Sequence, residues 1–247
     1  MHKAKAFLVV CAGIFLLALR AVPVAVSAPA SMLPLEVGNY WNYLGASGAH
    51  QVETITGTRT VLGRTVFVKS YTEGIDAGLE NFWLTGPGGE VLLAGFKIPP
   101  DGYALAYEPP ITVCGSAPSV GDTWTTHTTA YDLADTSVVM VLDIAYSAIE
   151  EVSLSVPAGT FPCIGVGQGL VATSPASAQP ASRGLTLDGR QVAAARSASA
   201  TSISDWYSPG IGVVQYLVGD RFQLAGYGSP TPAQSMSIGQ LKAKYAK

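Results

Sequence analysis

The chain has 247 residues, 48% of them hydrophobic, with 14 basic and 17 acidic side chains and a formal net charge of −3. It contains no run of lysines or arginines, which argues against a nucleic-acid groove and against a polybasic membrane patch. Its length suffices for one sizeable core or two small ones.

The first thirty residues are typical of a secretory signal. Lys3 and Lys5 precede an uncharged apolar stretch over 6–19. This stretch is shorter than the roughly 20 residues of a membrane span. We therefore expect an exported protein, periplasmic or extracellular, that contacts the membrane only through this segment before cleavage.

The cleavage point has three open alternatives: after Ala28, after Ala30, or retention of the segment as an anchor. Cleavage after Ala30 is favoured, because a cut after Ala28 would break the tertiary amide before Pro29. Lipid attachment at Cys11 is disfavoured, since the bulky Val10 stands where a small residue is needed.

Two cysteines, Cys114 and Cys163, remain beyond the signal. An even number in an exported chain favours a disulfide, and closing this loop would contribute roughly 4 kcal/mol. Two buried free thiols and a metal pair are the alternatives. The metal pair lacks partners, because His50 and His127 do not have ligand spacing. We expect no metal and no cofactor.

Three short segments occur twice and contain all four tryptophans. The pairs are Val37–Trp41 with Val120–Trp124, Trp83–Val91 with Trp206–Val214, and Leu93–Phe96 with Leu224–Tyr227. Such repetition is typical of a duplicated supersecondary unit that packs on itself. It predicts two related β-units, over 33–116 and 117–227. Trp41, Trp83, Trp124 and Trp206 are interpreted as structural residues at strand starts, in preference to a ligand groove.

Strand signals dominate the first unit, and helical signals are nearly absent. The predicted strands are Gln51–Leu62 and Thr65–Tyr71 around Gly63-Arg64, then Glu80–Thr85 and Glu90–Lys97 around Gly86–Gly89. The proline-rich groups at 99–102 and 108–110 are expected to end the unit, because proline cannot donate to a ladder.

The second unit continues the β pattern. The predicted strands are 123–131, 136–148, 151–156, 160–166, 202–207, 212–218 and 221–227. Between 172 and 204 the composition shifts to Ala, Ser, Thr, Pro and Gln, which indicates a low-complexity exposed insert. Residues 230–247 are expected to be a flexible or weakly helical tail. The sequence thus predicts one β-domain over 31–229, all-β and mainly antiparallel, either a half-barrel or a sandwich.

The run Val138–Leu142 is apolar on both faces of any strand. One-sided antiparallel sheets alternate instead, so this run is covered by protein on both faces or has one face towards a ligand cavity or a partner. It is the sequence feature that most favours binding.

Catalytic and metal patterns are missing from the sequence. There is no G-x-S-x-G, S-x-x-K or H-E-x-x-H motif. The adjacent Glu150 and Glu151 would point to opposite faces of a strand and cannot form a glycosidase pair alone. Asp122, Asp132 and Asp135 lack the spacing of a calcium loop and are interpreted as solvated.

Three motifs carry a family resemblance. They are Leu33–Trp41, Val156–Cys163 and Trp206–Val214. They resemble those of exported bacterial β-domain proteins called TapB-like, which are distantly similar to periplasmic lipoprotein-carrier half-barrels. The resemblance implies an antiparallel β-domain and no settled activity. The serine- and alanine-rich insert and the poor lipobox depart from the family pattern.

The functional expectation is an exported, non-enzymatic protein that binds or carries an apolar small molecule in the cell envelope. The alternative is a structural or interaction module that contacts an envelope protein, and a hydrolase without a recognisable motif is third. The first reading depends on Val138–Leu142 and on analogy between folds.

Overall fold

The computed structural model describes residues 30–99, 102–173 and 203–229. Our expectations for the signal residues 1–29, for the insert residues 174–202 and for the tail 230–247 lie outside these residues. The described strands are β1 Tyr40–Gly45, β2 His50–Val61, β3 Arg64–Glu73, β4 Glu80–Thr85, β5 Val91–Ile98, β6 Tyr103–Cys114, β7 Thr123–Asp132, β8 Val138–Val156, β9 Gly159–Thr173, β10 Ile203–Ser208, β11 Gly212–Val218 and β12 Asp220–Gly228.

These strands form a closed antiparallel barrel in which each strand pairs with the next along the chain. The barrel closes where β1 pairs with β12, from Tyr40 opposite Gly228 to Gly45 opposite Phe222. The all-β, antiparallel prediction is confirmed for the described residues. The choice between half-barrel and sandwich is wrong, because closure leaves neither a free edge nor a second sheet.

The main hydrophobic core fills the inside of this barrel. Every strand contributes buried side chains to it, from Trp41 on β1 to Phe222 on β12. Met32 and Leu33, which precede β1, join the same core. Because cross-strand partners share a face, the pairing register carries the inner face from one strand to the next.

The repeated Val-Gly segments form the same turn in both halves. The Gly38 N–H donates to the Ile55 carbonyl at 2.7 Å, and the Gly121 N–H donates to the Ala148 carbonyl at 2.8 Å. Both glycines need the left-handed region that favours glycine, with φ of 94° and 95°. Ile55 lies on β2 and Ala148 on β8, so the turns are six strands apart. The duplication itself stays a prediction.

The tryptophan pairs differ in how well they correspond. Trp41 and Trp124 are each the second residue of a strand, on β1 and β7. Trp83 and Trp206 lie on β4 and β10, which are also six apart, but they are out of register by one residue. Lys69 on β3 corresponds to Val166 on β9. Lys69 pairs with Asn81 on β4, and Val166 pairs with Asp205 on β10.

The next residues therefore correspond as Phe82 with Trp206. Trp83 joins the main core from the inner face of its strand. Trp206 follows the inward-facing Asp205, so it has the opposite orientation and joins the same core from the outer face. The third echo falls on β5 and β12, seven strands apart. It marks a shared β-bulge, at Ala94 and at Ala225.

Two strand predictions need correction. Pro109 and Pro110 lie inside β6 and do not end the first unit. Pairing of β6 with β5 skips from Ala106 to Ile111, and pairing with β7 stops at Glu108, so no ladder donor is needed at the prolines. The separate strands 136–148 and 151–156 are one strand, β8, with a register shift beside Ile149.

Candidate functional site

Two long hairpins, β2–β3 and β8–β9, extend past their neighbours at one end of the barrel. Pairing of β1 with β2 reaches only Thr54, whereas β2 runs on to Val61. Register shifts beside Thr56 on β2 and beside Ile149 on β8 reverse the alternation. As a result, the alternate residues that would have continued the inner face of the strand lie on the outer face beyond each shift.

The tip of the β2–β3 hairpin covers a second hydrophobic cluster, which we call the outer layer. Its buried members are Val61, Val66, Val68, Phe82, Ala94 and Ala106, drawn from β2 to β6. On the other face of β3, Tyr71 belongs to the main core and Phe67 is partly buried against it. The outer layer therefore lies on the outside of the barrel wall and is separate from the core inside.

Two arginines of the hairpin fasten its tip over the outer layer. Arg59 donates to Glu80 on β4 at 3.1 Å, and its guanidinium lies 5.1 Å from the ring centre of Phe82. Arg64 contacts Glu108 on β6 through both terminal nitrogens, with Nη2 to Oε1 at 2.6 Å. A two-point arginine–carboxylate contact of this kind is directional as well as attractive.

The Arg64–Glu108 contact also shifts the titration of both groups. Hydrogen bonding from Arg64 holds the pKa of the Glu108 carboxyl below its ordinary value of 4.5. The same hydrogen bond raises the pKa of Arg64. Both side chains are 40% exposed, so water screens the attraction and a pair of this type contributes about 0–1 kcal/mol.

The β8–β9 hairpin is fastened differently. Its apolar face, including Val152, Leu154 and Phe161, packs against the main core. The Ala158 N–H donates to the Leu224 carbonyl of β12 at 2.9 Å, and the Phe161 ring meets Tyr227 edge-on at 5.9 Å. This hairpin is therefore continuous with the core.

The barrel interior beside β2–β4 contains a polar cluster. Lys69 Nζ lies 2.6 Å from Glu53 Oε2, with side chains only 6% and 3% exposed. Gln51 and Asn81 are fully buried nearby on the same inner face. The Gln51 Nε2 group has no hydrogen-bond partner among the described residues. The ammonium of Lys69 also lies 5.3 Å from the ring centre of Trp83.

The predicted disulfide between Cys114 and Cys163 is not formed. Both residues are buried free thiols, on β6 and β9 with β7 and β8 between them in the barrel wall. Burial raises the pKa of Cys114 to about 12, with a smaller contribution from Asp205. Burial likewise raises the pKa of Cys163 to about 11. The structure thus has the free-thiol alternative.

The four tryptophans are placed within or beside packed side chains. The Trp41 indole donates to the Ile211 carbonyl at 2.6 Å, and that of Trp124 to the Thr112 carbonyl at 2.9 Å. The Trp206 indole donates to Glu150 on β8 at 3.0 Å, beneath the second hairpin.

The Val138–Leu142 run lies at the start of β8. Val138 is 52% exposed, while Leu142 is buried in the main core. Val139 and Met140 pack partly against the same core. The run therefore lies within the barrel wall, between β7 and β9, and packs on the core. A cavity on its other face stays a prediction, and the outer layer is a second binding candidate.

Other sequence candidates stay dispersed on the surface. His127 Nδ1 lies 2.7 Å from Asp143, and both are exposed on the outer faces of neighbouring strands. Hydrogen bonds from Ser137 hold the pKa of Asp135 below its ordinary value. Over the ranges that the structure covers, no three His, Cys, Asp or Glu side chains converge as a metal site. No membrane-length apolar helix occurs there either.

Sequence reasoning missed the outer layer, although a signal for it exists. Val66-Phe67-Val68 and Phe82-Trp83-Leu84 are apolar on both faces, as Val138–Leu142 is. The same rule applied to β3 and β4 predicts cover on both sides of these strands. The sequence does not predict that Glu53 and Lys69 point inward, because charged residues at alternate positions of a strand usually lie on its solvated face.

Comparison with known proteins found two solved structures. One is a candidate lipoprotein from Parabacteroides distasonis, with 15% identity, a TM-score of 0.35, and coverage of 81% of this chain and 99% of the other. The other is a candidate exported protein with a YmcC-like fold from Bacteroides fragilis, with 13% identity, a TM-score of 0.40, and coverage of 81% and 100%. No family model and no curated protein matches the chain. The TM-scores are low, so the barrel fold rests on this chain's own strand pairing.

Proposed function

We propose that this protein is an exported, non-enzymatic binding protein of the cell envelope, which takes up an apolar ligand beneath the β2–β3 hairpin. The observation that carries the proposal is the separation of the outer layer from the main core. Export is supported by the signal-like residues 1–30. A non-enzymatic role is consistent with the exposed position of His127 beside Asp143.

The proposed route of ligand entry is beneath a lifted hairpin tip. Lifting the hairpin tip exposes Phe82, Ala94 and Ala106 on the outer face of β4–β6 and leaves the barrel closed. Covering such an apolar side chain again stabilises a complex by about 1.5–3 kcal/mol for a residue of the size of Phe. A bound apolar chain replaces the contacts that Val61 and Val66 make in the closed form.

The test combines retained ligand with a clamped hairpin. Protein purified from its own host is examined by native mass spectrometry, and uptake of an apolar fluorescent dye is measured in parallel. Arg64→Cys/Glu108→Cys, joined by a short bifunctional thiol reagent, closes the β2–β3 hairpin. Phe161→Cys/Tyr227→Cys is the matched control on β8–β9, and the native thiols stay protonated because of their raised pKa values.

We expect dye uptake to be lost in the first clamped variant and kept in the control. Equal uptake by both clamped proteins would place the dye elsewhere and overturn the proposed site. A clean apo mass together with no uptake by the unmodified protein would overturn ligand binding as a whole.

A second candidate function is an interaction module, favoured by the two equivalent turns. Val37 and Val120 are 48% and 54% exposed at the same position of the same turn. Paired exposed valines offer two matching contact points to an envelope protein. A photo-crosslinker placed at either turn should capture the same protein, and a crosslinker at the exposed Ile75 should not. Identical products from all three positions would contradict this function.

A further inference from the structure

We infer that the ligand of the outer layer is an anionic amphiphile, a single-chain lipid with a carboxylate head of the long-chain fatty-acid class. This inference rests on the proposed function and adds the chemistry of the head group. It is carried by the juxtaposition of a buried apolar layer with two partly exposed guanidinium groups at its margin.

The two arginines stand where the apolar layer meets water. Arg59 lies over the Phe82 ring, and its side chain is 43% exposed. Arg64, at the start of β3, is 40% exposed. An acyl chain that lies against Phe82 therefore has its polar end within reach of a guanidinium. Lys97, the cross-strand partner of Glu80, adds a third basic residue to this outer face.

In the closed hairpin, glutamates occupy the anion positions. Glu80 and Glu108 accept from Arg59 and Arg64 respectively. Both contacts are partly solvated, so each is of the weak surface kind and is readily exchanged. A ligand carboxylate has the same shape and charge as a glutamate side chain, and it forms the same two-point contact with arginine. The head group thus takes over an arginine as the chain enters the layer.

The second hairpin supplies an internal contrast. Residues 138–173, which span β8 and β9, contain no lysine or arginine. There, the carboxylate of Glu150 accepts from the indole of the covered Trp206. An anionic head would meet a carboxylate at that place. Charge therefore selects the β2–β3 hairpin as the anion-binding one.

The test compares three probes on the full chain: a long-chain fatty acid, the alcohol with the same chain, and a short-chain carboxylate. Binding is measured by displacement of the apolar dye and by native mass spectrometry. Arg59→Gln and Arg64→Gln are the test variants. Arg221→Gln is the control, since Arg221 is exposed on β12 in the other half of the barrel.

We expect the acid to bind about tenfold more tightly than the alcohol, with the short carboxylate not binding, because a charge-assisted hydrogen bond accounts for such a ratio. Each test variant should reduce the ratio towards one, and Arg221→Gln should leave it unchanged. Circular dichroism of each variant verifies folding. If Arg64→Gln alone unfolds the protein, the double variant Arg64→Gln/Glu108→Gln replaces it, because it leaves no unpaired charge at this contact.

The outcomes separate the two proposals. Equal affinity for acid and alcohol, or an acid preference that survives both arginine changes, overturns the anionic head group and leaves apolar binding standing. No binding of either long-chain probe overturns the proposed function itself. Tight binding of the short carboxylate alone would show an anion site without an apolar component and would contradict both.

Discussion

Where the first half of the barrel places Gln51, Glu53 and Lys69 on its inner face, the second half places Ile144, Tyr146 and Val166. The correspondence follows from the shared turns, since Ile55 pairs with Lys69 as Ala148 pairs with Val166. One architecture thus accepts both a buried ion pair and an apolar cluster at the same place. The fold alone does not require the charges of the first half.

The outer faces of the two halves differ in how their long hairpins are attached. In the first half, the hairpin covers Phe82 in a layer that is separate from the core, and arginines fasten it. In the second half, the hairpin over Trp206 is part of the core itself. A hairpin attached through surface charges opens at lower free-energy cost than one that shares the core, so the two are expected to differ in local stability.

The largest expected effect concerns the interior. Glu53→Leu leaves Lys69 buried without its partner, and we expect a loss of about 3–5 kcal/mol in the free energy of unfolding. The double variant Glu53→Leu/Lys69→Met should recover most of that loss, because it copies the apolar solution of the second half. Denaturant unfolding of the three proteins measures both. If the double variant is as unstable as the single one, the two interiors are not interchangeable.

The second prediction separates the hairpins. Phe161→Ala should lower the free energy of unfolding by about 2 kcal/mol, because the half-buried ring packs on the main core. Leu84→Ala, which removes a half-buried side chain beside the outer layer, should mainly speed amide hydrogen exchange over 58–66. Thermal unfolding together with exchange mapping distinguishes these effects. Equal exchange in both hairpins of the unmodified protein would contradict the contrast.

The third prediction uses acid on the Arg64–Glu108 contact. The pKa of Glu108 is lowered in the folded protein. Its stabilisation is therefore present above the ordinary value of 4.5 and is lost as the pH falls through the folded pKa. Amide hydrogen exchange over 58–66 should become faster in that acidic window. The rise should correspond to a loss of less than about 1 kcal/mol in local stability. Glu108→Gln should abolish this pH dependence, and a persistent one would assign it to another carboxyl.

The smallest expected effect concerns the one thiol in each half. Cys114 and Cys163 should both resist alkylation in the folded protein at mild alkaline pH, because burial raises their pKa values to about 12 and about 11. After denaturation without reductant, both should react. Mass spectrometry counts the added groups, and the absence of any label in denatured protein would reinstate the disulfide.

Local sequence patterns located most of the strands. Gly63 and the glycines at 86–89 marked two hairpin turns, and β4 and β11 have the predicted bounds. The bulge beside Ile149 interrupts the alternation of β8, which is why the sequence predicts two strands where the structure has one. Pro109 predicts a strand end, yet whether a ladder donor is needed there depends on neighbouring strands, which the sequence of one strand does not reveal.

The candidate site was harder to predict than the strands. Arg64 and Glu108 are far apart in sequence, and only the return of the hairpin across β4 and β5 brings them together. The bulge at Thr56 turns Arg59 to the outer face by changing the strand register. No feature of the amino-acid composition around Thr56 predicts it. Closure by β1 and β12 is likewise a long-range pairing that strand patterns do not encode.

Closure also fixes an order of events in folding. Trp41 and Tyr43 on β1 donate to Ile211 and Val213, and their strand pairs with β12. Synthesis runs from β1 towards β12, so β1 pairs early with β2 on one edge, while its other edge waits for the last strand. During that interval the nascent chain exposes a half-formed wall with an open edge, which is the state most prone to joining another chain. The last step, the docking of β12 on β1, is therefore expected to determine how quickly the protein escapes aggregation.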